Sequence, residues 1–313
     1  MNSYIFQIET CSMCNLACPE CAIGGNVVNR KKQFMSFDNY KIIADKIKSH
    51  ASYIYLHIWG EPLLNPDIFD IINYTSKFVR SNISTNGMCV SSDISDKLIL
   101  SGVTDVIVSI DGVSNEVYSK YRVGGDVETA FNALRLLNDS NIRHGNNVRI
   151  IPQYIVFKHN QHEIDKFKSI CNELKLNPYF KAPYLRNNDK FQVSDDPVYI
   201  RPSFKSVNKL MDAMANCKSF LGGRFILVDG TVVACCSDYN GTTCFGNILY
   251  QDFDDIYNSQ KFKKFETQIF SGNIPSFCID NCMSWSLDKR ISTKKYNAIS
   301  FIESILNKLK SYT

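Results

Sequence analysis

The alternation of strand-like and helix-like segments constrains the fold of this chain more than any other feature of the sequence. Short apolar runs such as Tyr53 to Ile58 are followed by segments with apolar residues at helical spacing, such as Asp67 to Val79. About six strand–helix pairs of this kind precede Pro183. The pattern predicts an α/β fold built on a parallel sheet or an open barrel, because parallel neighbours need a crossover helix between them.

Polar and reactive residues follow the predicted strands directly. Four loops have this character: the Cys11 to Cys21 loop, Trp59-Gly60-Glu61-Pro62, Ser84-Thr85-Asn86-Gly87 and Ser109-Ile110-Asp111-Gly112. The carboxyl ends of parallel strands meet at one edge of a sheet or barrel, and functional sites lie there. We therefore expect these loops to form one site.

Charge and hydropathy exclude two classes of partner. The 35 Lys and Arg against 31 Asp and Glu give a net charge of +4 spread over the chain, which is too little to favour nucleic acid. The longest apolar runs are far shorter than the roughly 18 residues of a membrane helix, and the N-terminus lacks the pattern of a secretory signal. We expect a cytoplasmic protein with no membrane partner.

The twelve cysteines fall into two groups. In a reducing compartment, thiols bind metals or perform chemistry more often than they form disulfides. Only Cys89 and Cys171 stand alone, and we read them, together with Cys11, as small buried apolar residues. The remaining thiols therefore predict two metal centres, the first at Cys14, Cys18 and Cys21 and the second among Cys217, Cys235, Cys236, Cys244, Cys278 and Cys282.

The first group has three thiols at spacings of three and two intervening residues, with no histidine nearby. Three thiolates on a four-iron cluster leave one iron open for an exogenous ligand. Adding Cys11 would close the site or favour tetrahedral zinc, and zinc is the alternative here.

The loop resembles the cysteine signature of the radical S-adenosylmethionine (radical SAM) enzymes. The resemblance implies a partial (β/α)6 TIM-like barrel in which Cys14, Cys18 and Cys21 hold a [4Fe–4S] cluster and SAM chelates its open iron. Cys11 is then no ligand. Glu20 departs from the pattern, because the residue before the third cysteine is usually aromatic in the family.

Other loops resemble the SAM-contacting segments of the same family. Gly60-Glu61-Pro62 resembles the segment that binds the methionyl amino group, and a carboxylate suits that cation. The resemblance extends to the ribose and carboxylate contacts of SAM. Taken singly, each loop reads equally well as a turn or a solvated charge. The further residues that we assign to SAM on this basis are Ser84, Asn86, Ser109, Asp111 and Arg122.

The second group resembles the SPASM/twitch extension that follows some radical SAM barrels. There a β-hairpin with a glycine, here Gly230, and a later cysteine pair hold an auxiliary [4Fe–4S] cluster. The resemblance implies one such cluster, and the alternative is a zinc-stabilised appendage, since four thiolates also suit zinc. The sequence does not decide which of Cys235 and Cys236 binds. The expected ligands are Cys217, Cys235, Cys278 and Cys282.

Composition changes after Pro183, where a polar stretch begins. We expect the barrel over residues 1–183, a linker or covering segment over 184–216 and a small cysteine-rich α+β SPASM/twitch-like domain over 217–285. An amphipathic helix is expected within 286–313.

The resemblance implies an oxidoreductase or epimerase in which reductive cleavage of SAM gives a 5′-deoxyadenosyl radical that abstracts hydrogen from a C–H bond. Electron transfer to the auxiliary cluster would give a two-electron oxidation, and hydrogen return from a cysteine would give epimerisation. We single out Cys244 as the donor, with Cys236 second. His57 is read as a structural histidine.

The first strand begins near Tyr4, which leaves no room for an N-terminal peptide-recognition domain. We therefore expect a small polar substrate, such as a sugar or aminocyclitol, with a ribosomally made peptide as the alternative. A non-catalytic iron–sulfur electron carrier is the alternative of another class. The implied redox partner is a flavodoxin- or ferredoxin-type reductant.

Overall fold

A parallel sheet forms the centre of the molecule in a computed structural model that describes residues 3–186, 190–200, 203–204, 217–282 and 286–287. The order of strands in the sheet follows the order in the chain from β1 to β6, with every neighbouring pair parallel. The sheet is open, which confirms the predicted partial barrel. Its strands are β1 (Tyr4–Ile8), β2 (Ala51–Tyr55), β3 (Ser81–Thr85), β4 (Asp105–Ser109), β5 (Arg149–Ile155) and β6 (Tyr179–Lys181).

Helices connect these strands, as the alternation predicts. The sequence pattern did not predict the helix α4, because its seven residues are too few to show a clear helical period. The barrel helices are α1 (Phe37–Ile47), α2 (Ile68–Ser76), α3 (Ser92–Leu100), α4 (Asn115–Tyr121), α5 (Val127–Arg143) and α6 (Ile164–Glu173), with 3₁₀ turns at Pro62–Leu64, Gln161–Glu163 and Pro197–Tyr199.

Side-chain caps fix where several helices begin. The hydroxyl of Ser36 caps α1 by accepting a hydrogen bond from the amide of Asn39 at 3.3 Å. Ser91, Ser114 and Asp126 cap α3, α4 and α5 in the same way. Each cap satisfies an amide that the first helical turn leaves without a partner.

Alternation along the strands separates two faces of the sheet. Phe6, Ile8, Ile54, Ile83 and Val106 are fully buried in the main apolar core, which the helices cover. The residues between them face the other side, where polar side chains line a cavity. The inner face of the sheet therefore carries polar side chains among apolar ones such as Ile107 and Ile151, while the outer face carries the main apolar core.

The C-terminal region adds a hairpin to the central sheet. Its first strand pairs in parallel with β1, and the next two strands continue antiparallel. Two short strands, β7 (Ser203–Phe204) and β11 (Ser286–Leu287), form a separate sheet. The elements of the region are α7 (Lys218–Gly222), β8 (Gly223–Ile226), β9 (Thr231–Val233), β10 (Gly246–Asn247), α8 (Phe253–Asn258), α9 (Gln260–Phe270) and α10 (Ser276–Asn281).

Two helices, α8 and α9, follow each other closely in this region, and Ser259 separates them. Ser259 is extended, with φ of −60° and ψ of 149°, and its hydroxyl caps α9 by accepting from the amide of Phe262. The amphipathic helix predicted over Lys294 to Tyr312 lies outside the described residues. No helix in the described part of the chain is long and apolar enough to span a membrane.

A buried ion pair joins the barrel to the C-terminal region. One guanidinium nitrogen of Arg30 lies 2.9 Å from both carboxylate oxygens of Glu9, and Arg30 Nε donates to the carbonyl of Tyr239 at 2.6 Å. Glu9 also accepts the amide of Val228 at 3.0 Å. These contacts hold the hairpin beside the loop that contains the first cysteines.

Candidate active site

The first cysteine loop lies at the carboxyl end of β1, as predicted. Cys14, Cys18 and Cys21 all line one cavity, with Cys18 buried and the other two half-buried. Cys14 Sγ accepts the amide of Leu16 at 3.4 Å. Burial raises the pKa of Cys18 to about 12, and the nearby charge of Arg122 opposes this shift. A positively charged partner of this kind suits a thiolate ligand.

The turn at Gly60 packs against this loop. Gly60 has φ of +84°, and a Cβ there would lie 2.3 Å from the carbonyl oxygen of Cys11. Only glycine fits such a position without displacement of the backbone. The amide of Glu61 then donates to the carbonyl of Met13 at 2.8 Å, so the turn and the cysteine loop form one unit.

Glu61 and Asn86 are directly joined. The carboxylate of Glu61 accepts the amide of Asn86 at 2.7 Å and the amide of Leu63 at 3.2 Å. Asn86 Nδ2 donates to Asn15 Oδ1 at 2.8 Å and lies 3.6 Å from Cys14 Sγ. Burial raises the pKa of Glu61 to about 7, against the lowering effect of these donors. Two of the predicted SAM-contacting loops are therefore linked to the first predicted cluster ligand.

Asp111 and Arg122 form a buried pair. Arg122 Nε donates to Asp111 Oδ2 at 2.6 Å, and the other carboxylate oxygen accepts the amide of Ile155 at 2.6 Å. Arg122 Nη1 lies 4.0 Å from Cys18 Sγ. Both oxygens of Asp111 thus accept hydrogen bonds from the protein, one of them from Arg122.

A cavity of about 1460 Å³ collects most of the predicted SAM-contacting residues. Neither Pro62 nor Asp111 lines it: Pro62 begins the buried 3₁₀ turn, and Asp111 lies behind Arg122. The loops predicted to converge therefore do so, although not every residue in them faces the cavity. The predicted residues that line it are Gly60, Glu61, Ser84, Asn86, Ser109 and Arg122.

The two candidate hydrogen donors lie in different surroundings. Cys236 lines the large cavity, and its carbonyl accepts Trp59 Nε1 at 3.1 Å. Cys244 lines neither of the two cavities described here, and its Sγ lies 3.8 Å from the carbonyl of Gly246 within the hairpin region. The amide of Cys244 donates to the carbonyl of Gly241 at 3.2 Å, which closes a turn just before β10.

The four predicted auxiliary ligands surround a second cavity of about 30 Å³. Cys235 is among them, whereas its neighbour Cys236 lines the large cavity instead. Burial raises the pKa of Cys278 to about 12. The thiols at this cavity are Cys217, Cys235, Cys278 and Cys282, and apolar side chains including Phe220, Phe265 and Ile269 complete its wall.

The three remaining cysteines have ordinary environments. Cys11 and Cys171 are buried, as expected. Cys11 Sγ accepts the amide of Met13 at 3.3 Å and lies 3.2 Å from its carbonyl. Cys89 differs from the expectation, because it is half-buried and accepts Asn15 Nδ2 at 3.5 Å.

Several cavity residues were not identified from the sequence. Gln7, Gln153 and Lys181 lie on strands β1, β5 and β6 and point to the polar side of the sheet, and Tyr184 follows β6. The sequence did contain a signal for the two glutamines, because a glutamine within an otherwise apolar strand indicates the inner face of a barrel. His57 also lines the cavity.

The donor sets fit iron–sulfur clusters. Three thiols at the large cavity leave one coordination position open, and four thiols at the small cavity make a closed set. Within the described residues, no three Cys, His, Asp or Glu side chains are grouped closely enough to hold a single metal ion. Each thiolate of a four-iron cluster binds a different iron, which requires a wider spacing.

Comparison with known proteins identifies the family. A model of the radical SAM superfamily matches residues 8–167, just over half of the chain, and a SPASM iron–sulfur cluster-binding domain matches residues 217–283. An AdoMet-dependent heme synthase of Methanosarcina barkeri is 29% identical over 191 residues, which are 59% of this chain and 53% of that protein. The chain thus spans about half the length of this curated relative.

Solved structures share the fold. BtrN in complex with AdoMet and 2-DOIA matches with a TM-score of 0.54 and 20% identity, over 87% of this chain and 90% of that chain. SuiB of Streptococcus suis bound to precursor peptide SuiA matches with a TM-score of 0.64 and 13% identity, over 85% of this chain and 67% of that chain. The chain belongs to the radical SAM superfamily, and it is a radical SAM enzyme with a C-terminal SPASM iron–sulfur domain whose cofactors are SAM and two [4Fe–4S] clusters.

Proposed function

We propose that this enzyme abstracts a hydrogen atom from a C–H bond of a small polar substrate and epimerises that carbon, with Cys236 as the hydrogen donor. The observation that carries the proposal is that Cys14, Cys18, Cys21 and Cys236 line one cavity whose strand side is polar. When bound, the first cluster and SAM supply the 5′-deoxyadenosyl radical that removes the hydrogen atom.

The protein's part is to bind the cofactors and exclude competing hydrogen donors. We assign the first cluster to Cys14, Cys18 and Cys21. The SAM contacts are assigned to Gly60, Glu61, Ser84, Asn86, Ser109 and Arg122, with Asp111 and Pro62 as positioning residues. We assign the auxiliary cluster to Cys217, Cys235, Cys278 and Cys282.

Return of a hydrogen atom to the substrate radical is the step that distinguishes epimerisation from two-electron oxidation. The S–H bond of Cys236 breaks, and a C–H bond forms on the face of the carbon opposite to the abstraction. The sulfur radical that results takes up one electron from a flavodoxin- or ferredoxin-type reductant and one proton from solvent. The cavity position of Cys236 supports this role over Cys244.

Two-electron oxidation of the same kind of substrate is the second candidate. It is favoured by the adjacency of Cys235 and Cys236, which line the small and the large cavity respectively. An electron acceptor held by Cys235 would lie close to the substrate cavity. A peptide substrate is the third candidate, supported by the fold shared with SuiB. The cytoplasmic location expected from the sequence belongs to this proposal as well.

The first test is biochemical. Anaerobically reconstituted wild type should contain about eight irons, and a Cys14/Cys18/Cys21 triple alanine variant about four, with SAM cleavage under dithionite lost. Retained cleavage in the variant would overturn the ligand assignment. A protein that binds clusters without cleaving SAM would instead be an electron carrier.

Two matched cysteine variants test which thiol returns the hydrogen atom. In D₂O, wild type should place one solvent deuterium at the inverted carbon of its product. Cys236→Ala should still form 5′-deoxyadenosine but no inverted product, whereas Cys244→Ala should behave as wild type. Normal epimer formation by Cys236→Ala would exclude this thiol.

A further inference from the structure

Trp59 joins the turn that presents Glu61 to the segment that contains Cys235 and Cys236. It directly precedes Gly60 and Glu61 in the chain and lines the large cavity. Its indole Nε1 donates to the carbonyl of Cys236 at 3.1 Å. One side chain therefore connects the predicted SAM-contacting turn to the peptide between an assigned auxiliary-cluster ligand and the proposed hydrogen donor.

The ring of Tyr239 fixes the indole from a second side. The two rings meet edge to face, with centroids 6.2 Å apart and an angle of 87° between their planes. The Arg186 guanidinium lies 5.9 Å from the centroid of the Tyr239 ring, and the Tyr239 carbonyl accepts Arg30 Nε at 2.6 Å. Trp59 is therefore packed against a residue that other parts of the protein already hold in place.

The segment that receives the indole hydrogen bond is a closed turn after β9. The amide of Asp238 donates to the carbonyl of Cys235 at 3.0 Å. The buried Asp238 carboxylate accepts the amides of Thr242 at 2.7 Å and Thr243 at 2.6 Å. Because the turn is held by its own hydrogen bonds, a displacement at the Cys236 carbonyl also displaces Cys235, which lines the small cavity.

We propose that Trp59 is a positioning residue that couples the SAM site to the auxiliary-cluster site, because its indole fixes the Cys236 peptide against the turn that contacts SAM. SAM beside Glu61 and a cluster held by Cys235 then stabilise each other through this residue. The coupling is reciprocal, as linkage between two binding sites requires. The inference rests on the proposed function, since it uses the SAM and cluster assignments made there.

A double-mutant cycle on SAM affinity tests the coupling. Calorimetric titration with SAM, without reductant, compares reconstituted wild type, Trp59→Phe, Cys278→Ala and the double variant. Cys278→Ala leaves Cys235 and Cys236 in place and should lower the iron content from about eight to about four. It should weaken SAM binding about fivefold in the wild-type background and have little effect in the Trp59→Phe background.

The cycle also separates coupling from direct contact. Trp59 lines the cavity, so Trp59→Phe can remove a contact with SAM itself, but that loss would be the same with and without the auxiliary cluster. Tyr250→Phe is the matched control, because it changes an aromatic residue that is 84% exposed and should keep the full response to Cys278→Ala. Additive losses, or wild-type SAM affinity in Cys278→Ala, overturn the proposal.

Hydrogen exchange gives a second readout that needs no cysteine variant, and it decides the proposal if Cys278→Ala fails to fold or keeps its iron. Saturating SAM should slow amide exchange in residues 233–241 of wild type but not of Trp59→Phe, and equal slowing in both overturns the coupling. SAM cleavage under dithionite is measured on the same preparations. A wild type that neither binds nor cleaves SAM removes the proposed function, whereas normal cleavage without coupling removes this inference alone.

Discussion

Glu20 accepts a hydrogen bond from the backbone amide of Arg186 at 2.7 Å, and the Arg186 guanidinium in turn donates to the carbonyl oxygens of Pro19 and Cys21. The segment after the barrel thus holds the cysteine loop from outside. Gly25 leaves space for the guanidinium, since a Cβ there would lie 2.5 Å from Arg186 Nη2. A carboxylate at position 20 is therefore explained by a long-range contact that an aromatic residue would not make.

Removing the Arg186 guanidinium should make the first iron–sulfur cluster easier to extract from the protein. Arg186→Met leaves the carbonyls of Pro19 and Cys21 without this donor, and we expect several-fold faster loss of the iron–sulfur absorbance when a chelator is added. The rate should be unchanged in Arg135→Met, which removes an exposed arginine on α5. Glu20→Gln keeps an acceptor for the Arg186 amide and should be intermediate. Equal rates in all variants would show that the contact does not position the loop.

The adjacent thiols Cys235 and Cys236 offer a direct test of the cluster assignment. Cys235→Ala removes one of four thiols at the small cavity, so the iron content should fall from about eight toward about four per chain. Cys236→Ala should retain about eight, because Cys236 lines the large cavity and not the small one. Iron and sulfide analysis after anaerobic reconstitution measures both. The reverse result would exchange the roles of the two residues.

Local patterns predicted much of this architecture. The strand–helix alternation and the Ser36 cap depend on residues close in sequence, and the family signatures identified the four thiols that surround the small cavity. What escaped prediction is set by contacts between distant segments. The pairing of β8 with β1, the Glu20–Arg186 contact and the lining of different cavities by Cys235 and Cys236 all require the assembled fold.

His57 makes a specific contribution to the pH dependence of stability. Its pKa is about 4 in the folded protein, below its ordinary value of 6.5. Between these two pH values the unfolded chain therefore binds more protons than the folded protein. The contribution of neutral His57 to stability is complete above about pH 6.5 and is lost as the pH falls toward about 4. His57→Gln should flatten the fall in apparent thermal midpoint across this window.

The control for this measurement is His162→Gln, which changes an exposed histidine and should keep the wild-type slope. If the apparent thermal midpoints of wild type and His57→Gln fall in parallel with pH, then His57 is not held neutral by its surroundings.

Removing one partner of the Glu9–Arg30 pair should lower the free energy of unfolding far more than removing both. The Glu9 side chain is fully buried, and that of Arg30 is 11% exposed. Arg30→Met leaves a buried carboxylate whose pKa burial already raises, and we expect a loss of about 3–5 kcal/mol in the free energy of unfolding. The Glu9→Gln/Arg30→Met double variant buries no charge and should lose less than Arg30→Met alone.

A double-mutant cycle from thermal or urea unfolding measures this coupling. Because Arg30 also donates to the carbonyl of Tyr239 and Glu9 accepts the amide of Val228, the double variant should remain below wild type. Strictly additive losses would mean that the two charges do not depend on each other.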